Sequence, residues 1–403
     1  MKLKHTFIRT AAILAAGFVF VFLILTGGSG SVSSAAASGG TAVYSSSDLF
    51  TDRDLNQTAD LSEAVFLPVT DGEDIRITEA GTYVLSGTAS GVTVYVDAAD
   101  DAKVQLVLQE LHLSNSDFPC IYVRTADKVF ITTLADSSLT VTGTFRTDGN
   151  THTDGVIFSR TDLVLNGTAA LTIQSTDNGV ACKDDLKITG GTYTVTANSK
   201  AFEANDSIRI LDGTFVLRAG TDGFHAENSD DDSKGYIYIG GGTITIACGD
   251  DGIHANSVIQ IDDGVLTITA AEGIEGTFIQ INGGTIDVSA SDDGINAARK
   301  SSAVETAVEF NGGTVNVSMG AGDTDGIDSN GNLYINGGLI SVTGNSTFDY
   351  DGTVSFTGGT VYVNGQQTSS IPNQKMGGGR GGWGSNGMDG NGGRGGFGGR
   401  GGW

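Results

Sequence analysis

The sequence of 403 residues is poor in proline, cysteine and positive charge. It has 3 prolines, 3 cysteines and 22 lysines plus arginines against 47 aspartates plus glutamates, and its formal net charge is -25. This acidity argues against a nucleic-acid partner, because phosphate would be repelled. The three cysteines, Cys120, Cys182 and Cys248, are too widely spaced for a redox pair or a metal cluster. We therefore predict that they are small, buried apolar residues.

Glycine, by contrast, is abundant, and many of the 61 glycines recur at regular spacing. A Gly-Gly-Thr-type turn appears eight times, and its second glycine lies at Gly191, Gly213, Gly242, Gly264, Gly284, Gly313, Gly338 and Gly359. The intervals of 20 to 29 residues are typical of a solenoid, in which each repeat buries its apolar face against its neighbours.

Each repeat contains three short strands. Apolar and polar residues alternate in the strand before a glycine turn, as in 259–261, and in the strand after one, as in 244–246, which places one face inside and one in solvent. A third inward position follows an acidic-Gly step, as in Asp251-Gly252-Ile253. Three such strands per turn predict an all-β fold, a single-stranded parallel β-helix.

The chain divides by composition into four segments. Residues 1–40 begin with Lys2, Lys4 and Arg9 before an apolar run, which predicts a signal peptide or N-terminal membrane anchor followed by a Gly/Ser/Ala linker. We expect a leader or cap at 41–70, the β-helix at 71–365, and a disordered Gly/Arg-rich tail at 366–403. The protein is therefore predicted to be secreted or held at the extracellular cell surface, through the N-terminus or the tail, and to be a monomer.

Aligned repeats stack polar residues in three columns on one face. The first column contains Asp222, Asp251, Glu272, Asp293 and Asp325. The second contains Glu203, His225, His254, Glu275, Asn296, Asp328 and Asp351, and the third contains Asn205, Glu227, Asn256, Thr277 and Asn330. Carboxylates about 4.8 Å apart repel by about 3.5 kcal/mol at an effective dielectric constant of about 20. Such a stack is costly unless cations lie between the oxygens.

Calcium is the cation that this chemistry favours, because it accepts six to eight oxygen ligands in irregular geometry. The predicted calcium ligands are Glu203, Asp222, Glu227, Asp251, Glu272, Glu275, Asp293, Asp325 and Asp328. Zinc held by His225 and His254 together with Glu203 or Glu227 is an alternative. Two insertions, 228–234 and 299–306, follow the columns at the same point of the repeat and are expected to flank the binding face. The predicted sugar-contacting residues are His225, Lys234, His254, Asn256, Asn296 and Arg299.

Segments 77–87, 126–132, 183–192 and 234–239 carry a family resemblance. In order and spacing they resemble the carbohydrate-binding parallel β-helix domain of secreted proteins from cellulolytic clostridia, over roughly residues 70 to 365. The resemblance implies a right-handed, pectate-lyase-like β-helix that binds calcium and acidic plant polysaccharide, polygalacturonate or pectin in particular, as well as cellulose.

Three functions follow as hypotheses. The leading one is a non-catalytic binding module in which calcium bridges protein carboxylates to the uronate groups of the polymer. The second is a calcium-dependent polysaccharide lyase, which needs a base near the metal, with Lys200 or Lys234 as the foremost candidate. The third is a structural surface protein or adhesin that uses an outward column of threonines, including Thr192 and Thr214.

Overall fold

The computed structural model describes residues 42–321 and 324–374. The predicted signal segment 1–40 and residues 375–403 of the predicted tail lie outside these ranges. The described residues form 36 strands and one short helix, α1 (Ser46–Leu49). This helix, the only one among the described residues, is not long and apolar enough to cross a membrane. The all-β prediction is therefore confirmed.

Most strands belong to three parallel ladders. The front sheet contains β2 (Ile75–Ile77), β4 (Val94–Asp97), β6 (Ile121–Thr125), β9 (Gly155–Ser159), β12 (Asn178–Cys182), β15 (Phe202–Ala204), β18 (Phe224–Ala226), β21 (Asp251–Ala255), β24 (Glu272–Gly276), β27 (Ile295–Ala297), β30 (Asp325–Ser329) and β33 (Ser346–Tyr350). The side ladder contains β7 (Lys128–Thr133), β10 (Asp162–Gly167), β13 (Asp185–Ile188), β16 (Ser207–Ile210), β19 (Tyr236–Ile239), β22 (Val258–Ile261), β25 (Phe278–Ile281), β28 (Ala307–Phe310), β31 (Asn332–Ile335) and β34 (Val354–Phe356).

The back ladder completes each coil. It contains β8 (Ser137–Val141), β11 (Ala170–Ser175), β14 (Thr192–Ala197), β17 (Thr214–Ala219), β20 (Thr243–Cys248), β23 (Val265–Ala270), β26 (Thr285–Ala290), β29 (Thr314–Met319), β32 (Leu339–Thr343) and β35 (Thr360–Val363). Near the N-terminus β1 (Val65–Pro68), β3 (Gly81–Ser90) and β5 (Lys103–Asn115) pair in succession, and β5 continues into both β7 and β8. From β7 to β32 each strand pairs in parallel with the third strand after it, as β12 does with β15. The chain is thus a parallel β-solenoid with three strands per coil.

The core is one continuous apolar column inside the coils. Ile259, Ile244 and Ile253, one from each ladder, are fully buried in the same cluster. Burial of such a side chain contributes about 1.5 to 3 kcal/mol. Cys120 and Cys182 are also fully buried, and Cys248 is partly buried, in agreement with their predicted apolar role.

The recurring turn glycines are required by the backbone. The second glycine of all eight Gly-Gly-Thr-type turns has a φ angle between 79° and 143°, a range that residues with a side chain rarely adopt. At Gly284 a β-carbon would also lie 2.8 Å from the carbonyl oxygen of Gly264 on the preceding coil. This column is therefore scaffold.

The predicted leader is placed along the side of the solenoid. Residues 43–57, which we name the N-terminal strap, contact successive strands of the side ladder. The backbone N–H of Tyr44 donates to Gln260 Oε1 (2.7 Å), and Lys187 Nζ donates to the buried Asp54 Oδ2 (2.9 Å). Farther along, Gln57 Nε2 donates to the carbonyl oxygen of Thr189 (3.1 Å). The strap thus ties several coils together.

At the C-terminal end the predicted boundary needs correction. Residues 366–374 were assigned to the disordered tail, but β36 (Gln366–Thr368) pairs antiparallel with β35. Ile371 packs into the core, and Gln374 Oε1 accepts a hydrogen bond from the backbone N–H of Thr347 (2.7 Å). Residues 366–374 therefore belong to the solenoid domain, where they cover the last coil.

Candidate functional site

From β15 to β33 the outward positions of the front sheet form one polar column. In register it contains Glu203, His225, His254, Glu275, Asn296, Asp328 and Asp349. The assignment of Asp351 to this column was wrong. Asp328 pairs with Asp349 because Phe348 fills the inward position opposite Ile327, in a coil that lacks the usual glycine.

A second line of carboxylates runs beside this column. Asp251 pairs with Glu272, the backbone N–H of Asp251 donates to Asp222 Oδ1 (3.2 Å), and that of Asp325 donates to Asp293 Oδ1 (3.1 Å). The following glycines let the coils approach closely. A β-carbon at Gly252 would lie 2.5 Å from the carbonyl oxygen of Gly273. We name the two lines together the acidic strip.

The histidine section comprises Asp222, His225, Asp251, His254 and Glu275 of the strip, together with Glu227 beside it. His225 Nδ1 lies 2.8 Å from Asp222 Oδ2, and His254 Nδ1 lies 2.6 Å from Asp251 Oδ2 and 3.0 Å from Glu275 Oε2. The two imidazole rings stack with centroids 4.5 Å apart. Burial disfavours a charged His254, but the hydrogen bonds to Asp251 and Glu275 outweigh it and raise its pKa to about 9.

Lysines neutralise further carboxylates in and beside this section. Glu203 binds Lys200 Nζ (2.9 Å) and Lys183 Nζ (3.3 Å), whereas Glu275 binds Lys300 Nζ (2.9 Å). Burial opposes ionisation of Glu275, yet hydrogen bonds from His254 and Lys300 lower its pKa to about 2. Lys234 Nζ lies 2.5 Å from Asp206 Oδ2, away from the strip.

These contacts involve Lys200 and Lys234, the two candidate bases for a lyase reaction. Burial lowers the pKa of Lys200, but Glu203 outweighs burial and raises it, while the hydrogen bond to Asp206 raises the pKa of Lys234. A catalytic base needs the opposite shift, toward neutrality. Both side chains are arranged as ion-pair partners.

The carboxylate section, Glu272, Asp293, Asn296, Asp325, Asp328 and Asp349, has a different environment. Among the described residues, no lysine, arginine or histidine forms an ion pair with Glu272, Asp293 or Asp328. Burial, followed by repulsion from neighbouring carboxylates, raises the pKa of Glu272 to about 7 and of Asp328 to about 7. The same causes, partly offset by a backbone hydrogen bond, raise the pKa of Asp293 to about 6.

Asn296 adds an oxygen to this section. Its Nδ2 donates to Glu272 Oε2 (3.0 Å), while its Oδ1 is buried and finds no hydrogen-bond donor in the part of the chain that the structure describes. The carboxylates of Glu272, Asp293 and Asp328 and the amide oxygen of Asn296 thus lie together without an ion-paired lysine, arginine or histidine among the described residues. This is the chemistry that hard cations such as calcium accept.

Both insertions border the histidine section and touch each other. Ser301 Oγ donates to the carbonyl oxygen of Asp232 (2.6 Å), and the backbone N–H of Ser302 donates to Asp232 Oδ2 (3.1 Å). A cavity of about 330 Å³ lies beside them, and it is lined by Glu227, Asn228, Ser229, Asp232, His254, Asn256 and Lys300. A second cavity of about 290 Å³ is lined by Glu203, Asn205, His225, Glu227, Asn228, Ser229 and Asp230. The insertions therefore wall one side of the strip.

The structure brings together most, but not all, of the predicted site residues. The predicted calcium ligands Glu203, Asp222, Asp251, Glu272, Glu275, Asp293, Asp325 and Asp328 lie on the strip, with Glu227 beside it. Arg299 is exposed and lines neither cavity, whereas its neighbour Lys300 does. Sequence reasoning also missed Asn228, Ser229 and Asp232 as lining residues. Their only signal was their place in an insertion.

Comparison with known proteins decides the family. A family model described as carbohydrate-binding domain-containing protein matches residues 71–323 and 274–369. The chain belongs to this carbohydrate-binding domain family. A carbohydrate-binding domain-containing protein of Acetivibrio thermocellus is 41% identical over 174 residues, which cover 42% of this chain and 60% of the relative. The chain therefore spans less than two thirds of that relative.

One similar solved structure is that of a polysaccharide lyase-like protein from C. thermocellum, determined as a gadolinium derivative. It is 29% identical, with a TM-score of 0.49, and the match covers 56% of this chain and 95% of the other. The predicted relationship to carbohydrate-binding domains is confirmed by the family match, which includes nearly the whole solenoid and both insertions of the carbohydrate-binding domain.

Proposed function

We propose that this protein binds acidic polysaccharide, such as polygalacturonate, through calcium ions held on the acidic strip. The observation that carries this proposal is the carboxylate section, where Glu272, Asp293 and Asp328 share a half-buried surface without a protein cation among the described residues. A divalent ion there would remove their mutual repulsion. Its remaining coordination positions would bind uronate carboxylates of the polymer, so an acidic protein could hold an acidic sugar.

Asn296 favours a calcium ion bound at a defined site over a diffuse layer of counter-ions. Its buried Oδ1 accepts no hydrogen bond from the described residues, and leaving such an oxygen without a partner costs about 1 to 3 kcal/mol. Amide oxygens are ordinary calcium ligands beside carboxylates. The neighbouring Glu272 and Asp328 carboxylates would complete an oxygen-rich site.

The wider proposal follows the sequence interpretation. A right-handed, pectate-lyase-like coil agrees with the hand that parallel crossover connections almost always adopt. Secretion or surface attachment, through residues 1–40 or the Gly/Arg-rich tail, would place the monomer where plant polysaccharide is found. Cellulose is a second polymer to test. The raised pKa of Lys200 and Lys234 favours binding over a lyase reaction.

A retention assay tests the proposal. The purified protein is passed over immobilised polygalacturonate, and separately over cellulose, first with calcium and then with chelator, while absorbance of unsaturated sugar products is followed. We expect retention on polygalacturonate with calcium, release by chelator and constant absorbance. Retention unchanged by chelator would contradict calcium bridging, and a steady rise in absorbance would instead establish a lyase.

Matched variants locate the site in the same assay. Asp328→Asn removes a carboxylate from the strip, whereas Asp287→Asn makes the same change on the exposed face of the back ladder. We expect Asp328→Asn to weaken calcium-dependent retention by about ten-fold, equivalent to about 1.4 kcal/mol. Asp287→Asn should leave it unchanged. Equal retention by both variants would exclude the carboxylate section as the binding site.

A further inference from the structure

We propose that His225, His254 and Glu227 form a zinc site, separate from the calcium sites of the carboxylate section. The three side chains come from two adjacent coils, and one potential ligand atom from each lies within 4.8 Å of the others. The parallel register stacks the imidazoles 4.5 Å apart with an interplanar angle of 15°. Two imidazoles and one carboxylate are a ligand set that zinc commonly takes.

A repeated sequence motif orients both rings. Asp222-Gly223-Phe224-His225-Ala226 and Asp251-Gly252-Ile253-His254-Ala255 place an aspartate three residues before each histidine. Nδ1 of each ring faces that aspartate, at 2.8 Å in the first motif and 2.6 Å in the second. Metal-binding histidines almost always have such an outer carboxylate partner, which fixes the ring and leaves Nε2 for the metal.

Glu227 lies where the third ligand is needed. Its Oε2 is 3.2 Å from His225 Nε2, whereas the other ring nitrogen, Nδ1, lies 2.8 Å from Asp222 Oδ2. Its side chain is 55% exposed and lines both cavities, so an ion could reach the site from solvent and retain a water ligand. Zinc ligands lie only about 2.0 to 2.2 Å from the ion, so both imidazoles as well as the exposed Glu227 side chain must turn toward the ion to close the site.

The chemistry distinguishes this site from calcium and from the alternative cluster nearby. Calcium takes oxygen ligands, whereas imidazole suits zinc and other late transition metals. Asp251, His254 and Glu275 also converge, but a cation there would displace two hydrogen bonds of His254 Nδ1 and approach Lys300, which lies 2.9 Å from Glu275. Lys300 lines the same cavity as Glu227 and His254, but its ammonium group pairs with Glu275, which is not a ligand of the outer cluster.

Calorimetric titration of the full, metal-free chain with zinc chloride tests the proposal, with excess calcium present to fill oxygen sites. We expect one zinc ion per chain. Glu227→Gln, His225→Gln and His254→Gln should each weaken binding by about ten-fold or more. His112→Gln, on the exposed face of β5, is the matched control and should bind zinc as the parent does. Cobalt, used as a spectroscopic probe, should show visible absorption that depends on His225 and His254.

Thermal melting without metal shows which variants keep the fold. Glu227→Gln alters an exposed side chain and is expected to melt as the parent does, so the test survives even if a histidine variant unfolds. Zinc affinity unchanged in Glu227→Gln would overturn the proposal, as would zinc binding no tighter than magnesium binding. Either result would leave calcium-dependent retention through Asp328 untouched, so the two proposals fail separately.

Discussion

The same outward column of the front sheet is aromatic near the N-terminus and acidic near the C-terminus. Tyr95 pairs with Tyr122, Tyr122 with Phe158, Phe158 with Ala181, and Ala181 with Glu203, where the acidic column begins. We name Tyr95, Tyr122 and Phe158 the aromatic stretch. Both regions occupy one ladder with one geometry, so their difference isolates what side-chain chemistry contributes.

In the aromatic stretch, contact between aromatic rings of successive coils is favourable. Tyr122 and Phe158 meet edge to face with centroids 5.5 Å apart, and the guanidinium of Arg76 lies 4.2 Å from the ring centre of Tyr95. Such ring pairs add about 0.5 to 1.5 kcal/mol beyond burial. Arg124 bridges the edge of this stretch to Asp148 and Asp97. The rings of the aromatic stretch thus have their contact partners among the described residues.

The acidic strip lacks this self-sufficiency. Parallel pairing stacks equivalent positions of successive coils. A column of aromatic rings gains ring contacts in this way, whereas a column of carboxylates brings like charges together. In the histidine section, imidazoles lie close to Asp222 and Asp251, and Lys300 Nζ lies 2.9 Å from Glu275. In the carboxylate section, Glu272 and Asp328 instead have raised pKa values. The carboxylate section, where no described lysine, arginine or histidine pairs with Glu272 or Asp328, is therefore the part of the strip for which we propose calcium.

The largest effect is expected from breaking the aromatic stretch. Tyr122 is fully buried, and Tyr122→Ala would leave a cavity among Tyr95, Phe118 and Phe158. We expect a loss of about 3 to 5 kcal/mol in the free energy of unfolding, as for other buried aromatic residues. Urea denaturation with and without calcium measures it. The loss should be the same in both conditions, and a loss abolished by calcium would contradict the division between the two regions.

Calcium and pH should act on the acidic strip. The pKa of Glu272 and that of Asp328 are each raised to about 7, so between about pH 4 and pH 7 the folded state holds more protons than the unfolded chain. Without calcium, stability contributed by these groups should therefore fall as pH rises through that window. Calcium at about 100 times its dissociation constant should restore about 2.7 kcal/mol above the window.

Melting curves at about pH 5 and pH 8, with calcium or chelator, check this prediction. The calcium-induced rise in melting temperature should be larger at the higher pH. Asp328→Asn should reduce that rise, whereas Asp287→Asn, on the back ladder, should not. An equal rise at both pH values would show that calcium does not act through the carboxylates with raised pKa.

The smallest effect is expected at the rim of the aromatic stretch. Arg124 is one-third exposed, and its Nη2 lies 2.6 Å from Asp148 Oδ2. Because such ion pairs are screened by water, Arg124→Gln should cost only about 0 to 1 kcal/mol in unfolding free energy. Urea denaturation at low and high salt measures it, and the cost should shrink with salt. A cost comparable to that of Tyr122→Ala would mean that the arginines, rather than the rings, hold this stretch together.

Much of this architecture was predictable because it repeats. The alternation of apolar and polar residues around Ile259 and Ile244 correctly predicted which faces point inward. The predicted threonine column is also present, with Val265 and Leu339 at two of its positions. Prediction failed where the repeat is interrupted. Asp349 was missed because its coil lacks the guiding glycine, and the path of the N-terminal strap follows no repeat at all.

The sequence by itself determined the three-strand coil, the buried columns and the stacking of acidic residues on one face. Those features depend on local periodicity and on turns that only glycine can form. The tertiary structure decided which carboxylates have cationic partners. Lys300 reaches Glu275 from an insertion, while Asp54 reaches Lys187 from a strap 133 residues away along the chain. Such pairings depend on side-chain positions in space, which a repeat pattern does not specify.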